Sequence, residues 1–343
     1  MERASPAQEV VLVRAEPRLT DKATAQSWPH LVAGASGGLA TAIVTSPLDV
    51  LRTRLQSDFY QQYSRHSPEL VFRPNRLLLA SCQHIRETLQ IFRSISYNEG
   101  LRGLFRGLGP SLTGVVPATA IKFYVYGNTK LLGASLLQYD KDSPIVHAQA
   151  AVAAGIATST LTNPIWLVKT RLQLDKSRTK VNGITARQYK NSFDCVRQVV
   201  QTEGIAGLYR GLSASYLGTV ETVLHLVLYE KLKLFFRQRL EYNQYSSGEF
   251  VLWISTSGTA GIAKIAAVLV TYPHEVVRTR LRQAPLENSL PRYTGLIDCF
   301  QSIWRSERLV GLYGGLTPHS MRSIPSAIIT LSVYEFVLRR IGS

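Results

Sequence analysis

The chain has 343 residues, of which 45% are hydrophobic and only 18% are charged. This apolar content excludes a disordered protein, and three cysteines are too few for a disulfide framework. Lys and Arg number 39 against 23 Asp and Glu, a formal charge of +16. A basic chain can bind nucleic acid, lie against an anionic membrane or move anionic solutes, and composition alone does not choose among these.

Residues 1–27 precede the first apolar stretch and are predicted to be a disordered N-terminal extension. Acidic residues interrupt any Arg-rich amphipathic pattern in it, namely Glu2, Glu9, Glu16 and Asp21. No apolar signal core is present in this segment either, so a targeting peptide is not predicted here.

Six stretches of the chain are long and nearly free of charge. Residues 23–48 and 143–168 contain no Asp, Glu, Lys or Arg over 26 residues each. About 20 predominantly apolar residues in a helix are enough to cross a bilayer core. The other four stretches carry one interior charge each, at Lys122, Glu221, Lys264 and Arg322. Because such charges face a bundle interior or a watery path, the pattern favours six membrane helices over a soluble all-α core.

Two sequence blocks recur three times and define the domain organisation. The first block reads PLDVLRTR, PIWLVKTR and PHEVVRTR, beginning at Pro47, Pro164 and Pro273. The second ends in glycines that lie 104 residues apart, at Gly107, Gly211 and Gly315. The chain is therefore predicted to contain three tandem two-helix units over residues 28–135, 143–240 and 248–343. The first unit has an enlarged segment, about residues 57–98, between its helices.

The pattern Pro-x-[Asp/Glu]-x-x-[Lys/Arg]-x-[Lys/Arg], followed by [Asp/Glu]-Gly-x4-aromatic-[Lys/Arg]-Gly, resembles the mitochondrial carrier family over residues 28–341. The resemblance implies an all-α membrane protein with six transmembrane helices in a pseudo-threefold bundle. It also implies a multi-pass protein of the mitochondrial inner membrane, whose central solute site opens alternately to the cytosol and the matrix.

A gate is expected just beyond the proline of each odd-numbered span. Proline removes a backbone hydrogen bond and can kink the helix, and an acid and a base three residues apart share one helix face. By resemblance, each acid pairs with the base of the next odd span to form a matrix gate, here Asp49 with Lys169 and Glu275 with Arg52. Trp166 occupies the acid position of the second unit, so Arg278 is expected to lack its partner.

The cytosolic gate of the family follows [Phe/Tyr]-[Asp/Glu]-x-x-[Lys/Arg] on the even-numbered spans. Only the second unit fits fully, with Glu230 and Lys233. The first unit keeps the base, Lys130, and the third keeps the acid, Glu335. A single pair between Glu335 and Lys130 is therefore predicted, and this gate is expected to be weaker than the matrix gate.

Three residues occupy one symmetric position on the even-numbered spans, at a level where the family makes its main substrate contacts. They are Gly114, Gly218 and Arg322. The two glycines are expected to leave room for a large solute. Arg322 supplies a planar, permanently charged fork that suits phosphate or carboxylate.

Two lysines are expected to join Arg322 in the pathway, Lys264 and Lys122, although both could instead reach lipid headgroups. Three interior cations against one interior anion, Glu221, predict an anionic substrate. Glu221 could accept hydrogen bonds from a base or ribose, or hold a cation. His225 could do the same or simply pack, and Thr219 is a further polar candidate.

The residues around Trp166 and the segments 211–221 and 271–282 resemble the branch of the family that carries pyrimidine nucleotides, its fungal members in particular. This resemblance implies exchange of UTP, CTP, TTP and related nucleotides. The alternative is a carrier of FAD, folate, NAD or another nucleotide on the same fold. Anionic lipid such as cardiolipin is the expected membrane partner. One chain contains all three units, so function as a monomer is expected.

Other functional classes have weaker support in the sequence. An enzyme is not expected, because no Walker-type phosphate loop, metal-spaced His/Cys cluster or nucleophile elbow occurs, and no cofactor or metal is predicted. A nucleic-acid partner is not expected, because the basic residues form no stripe with interleaved aromatics. A proton-leak or purely structural membrane protein stays open as a further alternative.

Overall fold

The computed structural model describes residues 19–57, 88–97, 99–138, 140, 143–175, 178–179, 185–186, 188–242, 249–285 and 293–341. The helices are α1 Leu19–Val44, α2 Ser46–Gln56, α3 Leu101–Leu104, α4 Leu108–Leu137, α5 Pro144–Leu174, α6 Ser192–Gly207, α7 Leu212–Tyr242, α8 Glu249–Thr271, α9 Pro273–Leu281, α10 Leu296–Leu312 and α11 Leu316–Ile341. Residues 88–97 are also helical. Two short strands, β1 Arg178–Thr179 and β2 Thr185–Ala186, pair antiparallel. The all-α architecture is confirmed, with this small ladder in a connection.

Helix α1 begins nine residues inside the predicted N-terminal extension, at Leu19. Residues 1–18 of that extension lie outside the described residues, as do residues 58–87 of the enlarged first connection. The part of that connection that is described contains the helix at 88–97, which together with α3 precedes α4 as α6 precedes α7.

The three prolines act differently on the odd-numbered spans. Pro47 and Pro273 lie in the first turn of α2 and α9, so the first and third odd spans are each divided into two helices. Proline suits this position because the first-turn N–H has no partner within the helix. Pro164, in contrast, lies inside α5, which continues through it without a break. The odd-numbered span is therefore interrupted at its proline in the first and third units and continuous in the second.

Six long spans are formed by α1 with α2, α4, α5, α7, α8 with α9, and α11. By length and hydropathy alone, two described helices could cross a membrane, Pro144–Leu174 and Leu316–Arg340. A third is added if α6 and α7, which are bent by 69°, count as one span. The other spans are less apolar because they carry glycine, hydroxyl groups and the interior charges, as expected for helices around a polar path.

Neighbouring spans pack side by side: α4 packs between α1 and α5, α7 packs between α5 and α8, and α11 packs on α1. At one end α2, α5 and α9 converge, and we call this the matrix end, following the family resemblance. The even-numbered spans α4, α7 and α11 make no comparable contacts with one another among the described residues. The bundle is therefore closed by its odd-numbered spans at the matrix end.

Glycines with positive φ begin the even-numbered spans at equivalent places. Gly107, Gly211 and Gly315 have φ of 79°, 75° and 76°. A Cβ on each would lie 3.1 to 3.2 Å from a backbone carbonyl of the next odd span, at Lys169, Arg278 and Arg52 respectively. Glycine is required here because the conformation is left-handed and the neighbouring backbone is close.

Buried arginine links, one in each unit, tie the matrix-end connections to the odd-numbered spans. Their ion pairs are Arg54–Glu99, Arg171–Glu203 and Arg280–Glu307. Each guanidinium also donates from Nε to a backbone carbonyl of the next odd span, at 3.0 to 3.3 Å. Each link therefore joins a helix of its own unit to the next unit, and the set follows the threefold symmetry of the bundle.

Candidate functional site

Both ion pairs that the repeats predict between odd-numbered spans are formed. Lys169 Nζ lies 3.1 Å from Asp49 Oδ2, which joins α5 to α2. Arg52 donates to Glu275, which joins α2 to α9. All four side chains are at most 16% exposed, so water screens these pairs weakly. They close the matrix end of the bundle at the point where the odd-numbered spans converge.

The third position of this ring departs from the other two. Arg278, expected to lack a partner, instead has Nη2 3.4 Å from Oε1 of Glu275, three residues earlier on its own helix. This contact forms within one helix because residues three apart on a helix are neighbours. The Trp166 indole N–H donates to Thr162 Oγ1 at 2.9 Å, and the Lys169 ammonium lies 5.2 Å from the ring centroid. The aromatic ring thus contacts a gate cation, while Arg278 forms no ion pair with another span within the described part of the chain.

Arg322 reaches the gate from the even-numbered span α11. Its Nη1 lies 2.8 Å from Asp49 Oδ1, and its Nε donates to Thr45 Oγ1 at 3.3 Å. Asp49 is therefore shared by Arg322 and Lys169, one on each oxygen. The sequence placed Arg322 in the cavity but did not predict this contact, because the two residues occupy non-equivalent positions in different units.

Lys264 and Glu221 form an ion pair of 2.6 Å between α8 and α7. The sequence predicted both as interior charges without pairing them. Lys264 is 52% exposed and Glu221 18% exposed, so the ammonium lies on the open side of the pair. This contact places Lys264 in the bundle and disfavours the alternative in which it reaches lipid headgroups.

Glu221 also lies close to two residues of α9. Ligand atoms of Glu221, His274 and Glu275 all lie within 4.8 Å of one another, a spacing that could hold a metal ion. Lys264 and Arg52 already bind the two carboxylates, so a metal would have to compete with both. We therefore regard this cluster as part of the charge network of the gate.

The small residues expected to make room for a solute differ in their surroundings. Gly114 is buried, and a Cβ there would lie 2.9 Å from Ile165 and 3.6 Å from the Trp166 ring. Gly218 is less crowded, with His274 Nε2 at 3.4 Å from such a Cβ. Gly114 thus accommodates the neighbouring span α5, and Gly218 lies beside the cluster of Glu221 and His274.

Two polar candidates on α7 make few contacts that point to a ligand. Thr219 donates to the carbonyl of Tyr216 at 2.6 Å, and its methyl group would lie 2.7 Å from a Cβ at Gly155. Both contacts are those of helix packing. His225 Nε2 is buried and makes no hydrogen bond within the described part of the chain.

Lys122 is exposed on α4. Exposed apolar side chains lie on more than one side of this helix: at about 100° per residue, Tyr124 and Leu131 lie opposite Lys122, whereas Leu136 lies within about 40° of it. A position of Lys122 on the pathway therefore stays a prediction from sequence.

The predicted cytosolic pair of Glu335 with Lys130 stays a prediction from sequence. Glu335 lies 3.8 Å from Arg339 on its own helix, and both side chains are more than half exposed. The Lys233 ammonium lies 5.6 Å from the ring centroid of Tyr229, also on one helix. Pairing of Glu335 with Lys130 requires α11 and α4 to approach each other, and these spans do not pack together extensively here. Glu230 stays a prediction from sequence.

A bundle with one closed end and an interior lined by charge can act as one state of a solute pathway. Cations exceed carboxylates along it. The cationic side chains are Arg52, Lys169, Lys264, Arg278 and Arg322, and the carboxylates are Asp49, Glu221 and Glu275. The five against three leave a formal surplus of positive charge, which attracts anionic solutes.

Comparison with known proteins agrees with this architecture. The family model described as "Mitochondrial carrier protein" matches residues 23–134, 140–240 and 251–343. The mitochondrial pyrimidine nucleotide transporter RIM2 of Saccharomyces cerevisiae is 46% identical over 330 residues, covering 92% of this chain and 86% of that protein. The mitochondrial carrier protein rim2 of Schizosaccharomyces pombe is 46% identical over 319 residues, covering 91% and 90%.

A vertebrate relative matches over a similar length. Solute carrier family 25 member 36 of Mus musculus is 40% identical over 318 residues, covering 90% of this chain and 96% of that protein. The matches extend over all three repeats, and the chain belongs to the mitochondrial carrier family.

Proposed function

We propose that this chain exchanges pyrimidine nucleotides across the mitochondrial inner membrane by alternating access. Family membership makes it a multi-pass protein of that membrane and a carrier in class. The nucleotide class is supported by the Saccharomyces relative, which is named as a pyrimidine nucleotide transporter and is 46% identical over nearly the whole chain. We propose that the chain catalyses no chemical reaction, because its charged residues are used for closure and solute binding.

The observation that carries the proposal is the surplus of cations at a closed matrix gate. Asp49 holds two cations, Lys169 and Arg322, and Glu275 holds two, Arg52 and Arg278. Each carboxylate can satisfy only one positive charge in full. A polyphosphate entering from the cytosolic end would bind the remaining charge, and Arg322 is the best placed to receive it because its fork can hold two phosphate oxygens.

Substrate binding and gate opening are linked in this arrangement. A phosphate that takes Arg322 away from Asp49 leaves that carboxylate with Lys169 alone, which weakens the closure from the cavity side. Binding energy can drive a conformational change only to the extent that the ligand binds one state better than the other. Competition between phosphate and gate carboxylate for the same cation supplies such a difference.

The test is exchange by the purified full chain in liposomes. Labelled UTP should enter vesicles loaded with UTP or CTP much faster than it enters empty vesicles, because exchange needs a counter-substrate. Equal uptake into loaded and empty vesicles would contradict the exchange mechanism. Uptake of ATP, NAD, FAD or folate without uptake of UTP would favour the alternative substrates, and proton conductance without any exchange would favour a leak pathway.

We also propose that the carrier works as a monomer, because one chain supplies all three repeats and the whole matrix gate. Anionic inner-membrane lipid such as cardiolipin is the proposed membrane partner, since the formal charge of the chain is +16. No role for nucleic acid is proposed.

A further inference from the structure

Arg278 differs from the two other gate bases in what it binds. Lys169 and Arg52 each pair with a carboxylate on another span, and their side chains are 16% and 12% exposed. Arg278 is 28% exposed, and its ion pair within the described residues is the 3.4 Å contact to Glu275 on its own helix. That carboxylate is already bound through its other oxygen by Arg52. Arg278 is thus the least satisfied base of the gate.

The cause is the single residue Trp166. A carboxylate at this position would face Arg278 from α5, as Asp49 faces Lys169 from α2. The indole cannot accept an ion pair, and its N–H is turned to Thr162 on its own helix, at 2.9 Å. The ring edge lies 3.6 Å from where a Cβ on Gly114 would be, so neighbouring backbone holds it in place. The tryptophan therefore leaves a guanidinium at the gate with accessible hydrogen-bond donors.

The surroundings of Arg278 show which ligand would suit it. Arg278 interacts electrostatically with Glu275, Arg52 and Glu221, and Glu221 is neutralised by Lys264 at 2.6 Å. Two guanidiniums sharing one carboxylate leave a net positive charge on this side of the gate. Guanidinium forks bind phosphate oxygens in pairs, and such charge-assisted bonds are stronger where water is scarce.

We infer that Arg278 is a second phosphate-binding residue of the carrier, which binds the terminal phosphates of a nucleoside di- or triphosphate while the matrix gate is closed. This inference rests on the proposed nucleotide exchange and adds the residue that distinguishes polyphosphates from monophosphates. Because Trp166 stands where the other units have the gate acid, Arg278 binds substrate instead of pairing with an acid to close the gate. Phosphate on Arg278 releases Glu275 from one of its two cations, as phosphate on Arg322 releases Asp49.

The test compares KM for UTP and UMP in liposome exchange by wild-type and variant carriers. Arg278→Gln should raise KM for UTP roughly tenfold or more, as expected when a charge-assisted hydrogen bond to a ligand is lost. KM for UMP should change much less, because a monophosphate bound by Arg322 has no terminal phosphate for Arg278 to bind. Arg305→Gln, which removes the same charge from an exposed site on α10, should leave both values unchanged.

A second variant tests the same idea with Arg278 in place. Trp166→Glu supplies the missing acid, so the arginine should pair with it and KM for UTP should rise as in Arg278→Gln. Adding Arg278→Gln to Trp166→Glu should then raise KM no further. Trp166→Phe keeps an aromatic ring without a carboxylate, so it should raise KM for UTP much less than Trp166→Glu does. The rise in unfolding midpoint that UTP causes in detergent should shrink in Arg278→Gln, in Trp166→Glu and in the double variant, and much less in Trp166→Phe.

Three results separate this inference from the proposed function. No UTP exchange by the wild type would remove the function itself. Wild-type exchange with unchanged KM for UTP in both Arg278→Gln and Trp166→Glu would overturn the role of Arg278 and leave the function standing. Equal increases of KM for UMP and UTP would overturn the assignment to the terminal phosphates.

Discussion

Two rings of ion pairs lie within one helical turn of each other at the matrix end, and they differ in symmetry. The arginine links repeat in all three units with the same residues, Arg to Glu, and their arginines are buried. The gate ring contains Asp49 in the first unit, Trp166 in the second and Glu275 in the third. The links hold each unit to the next, whereas the gate must break during transport.

This contrast shows which positions tolerate departure from threefold symmetry. A buried guanidinium without its carboxylate is costly in every conformation, so each link needs both partners. A gate needs only enough ion pairs to stabilise its closed state, and a gate with fewer pairs opens more easily. The asymmetry of the gate also leaves cations that can bind a substrate, which a fully paired ring would not.

Breaking one link should have the largest effect on stability. Glu203→Gln leaves the Arg171 guanidinium, which is 1% exposed, without the carboxylate that it meets at 2.5 and 2.9 Å. We expect a loss of about 3–5 kcal/mol, seen as a lower unfolding midpoint in detergent. Glu99→Gln and Glu307→Gln should cost similar amounts if the links are equivalent.

The paired replacement sharpens this prediction. Replacing Arg171 and Glu203 together by Leu removes both charges, so the loss should be smaller than for Glu203→Gln alone. A double variant as unstable as the single one, or sensitivity confined to one unit, would contradict a symmetric structural role for the links.

Breaking the gate should cost less stability and change transport more. Asp49→Asn removes the carboxylate that Lys169 and Arg322 share, and we expect a loss of about 1.5–3 kcal/mol, as for hydrogen bonds to charged groups. Uptake of labelled UTP into empty vesicles should rise, because the closed state is weakened. Arg322 is released from its carboxylate, so KM for UTP should fall.

Asp140→Asn is the matched control, since it makes the same change at an exposed loop residue. It should alter neither the unfolding midpoint nor uptake into empty vesicles. If Asp49→Asn behaved like this control, the contacts around Asp49 would have no part in closing the matrix end.

The same comparison explains how far sequence could predict the site. Repeat spacing sufficed for Asp49 with Lys169, because those residues occupy equivalent positions in successive units. It missed the contacts of Arg322 with Asp49 and of Lys264 with Glu221, since those pairs join non-equivalent positions and depend on the tilt of neighbouring spans. The Glu335–Lys130 pair stays a prediction from sequence. A carrier sequence encodes the residues for both of its states, and the structure holds one.

Two cysteines lie at equivalent positions in helices outside the six spans. Cys195 on α6 and Cys299 on α10 lie 16 residues before Gly211 and Gly315, and Ile91 has the same position in the first unit. Both side chains are buried, and neither forms a disulfide within the described residues. An apolar residue at the third equivalent place indicates that these cysteines fill the core of their connections.

This structural role predicts a specific dependence on pH. Burial raises the pKa of the Cys195 thiol from 9.0 to about 12. The unfolded chain therefore loses this proton above about pH 9 while the folded chain keeps it, so folding stability falls between those two values and is unaffected below the lower one. At pH 10 the loss relative to pH 8 should be about 1.4 kcal/mol.

The Cys195→Ala variant isolates that contribution. It loses packing at every pH but has no thiol to ionise. The difference in free energy of unfolding between the wild type and this variant should therefore shrink by roughly 1.4 kcal/mol between pH 8 and pH 10. A difference that stays constant over this interval would show that the thiol is not held protonated by the fold. UTP exchange at pH 8 should be the same in both proteins, because Cys195 lies in a connection outside the six spans and has no part in the gate.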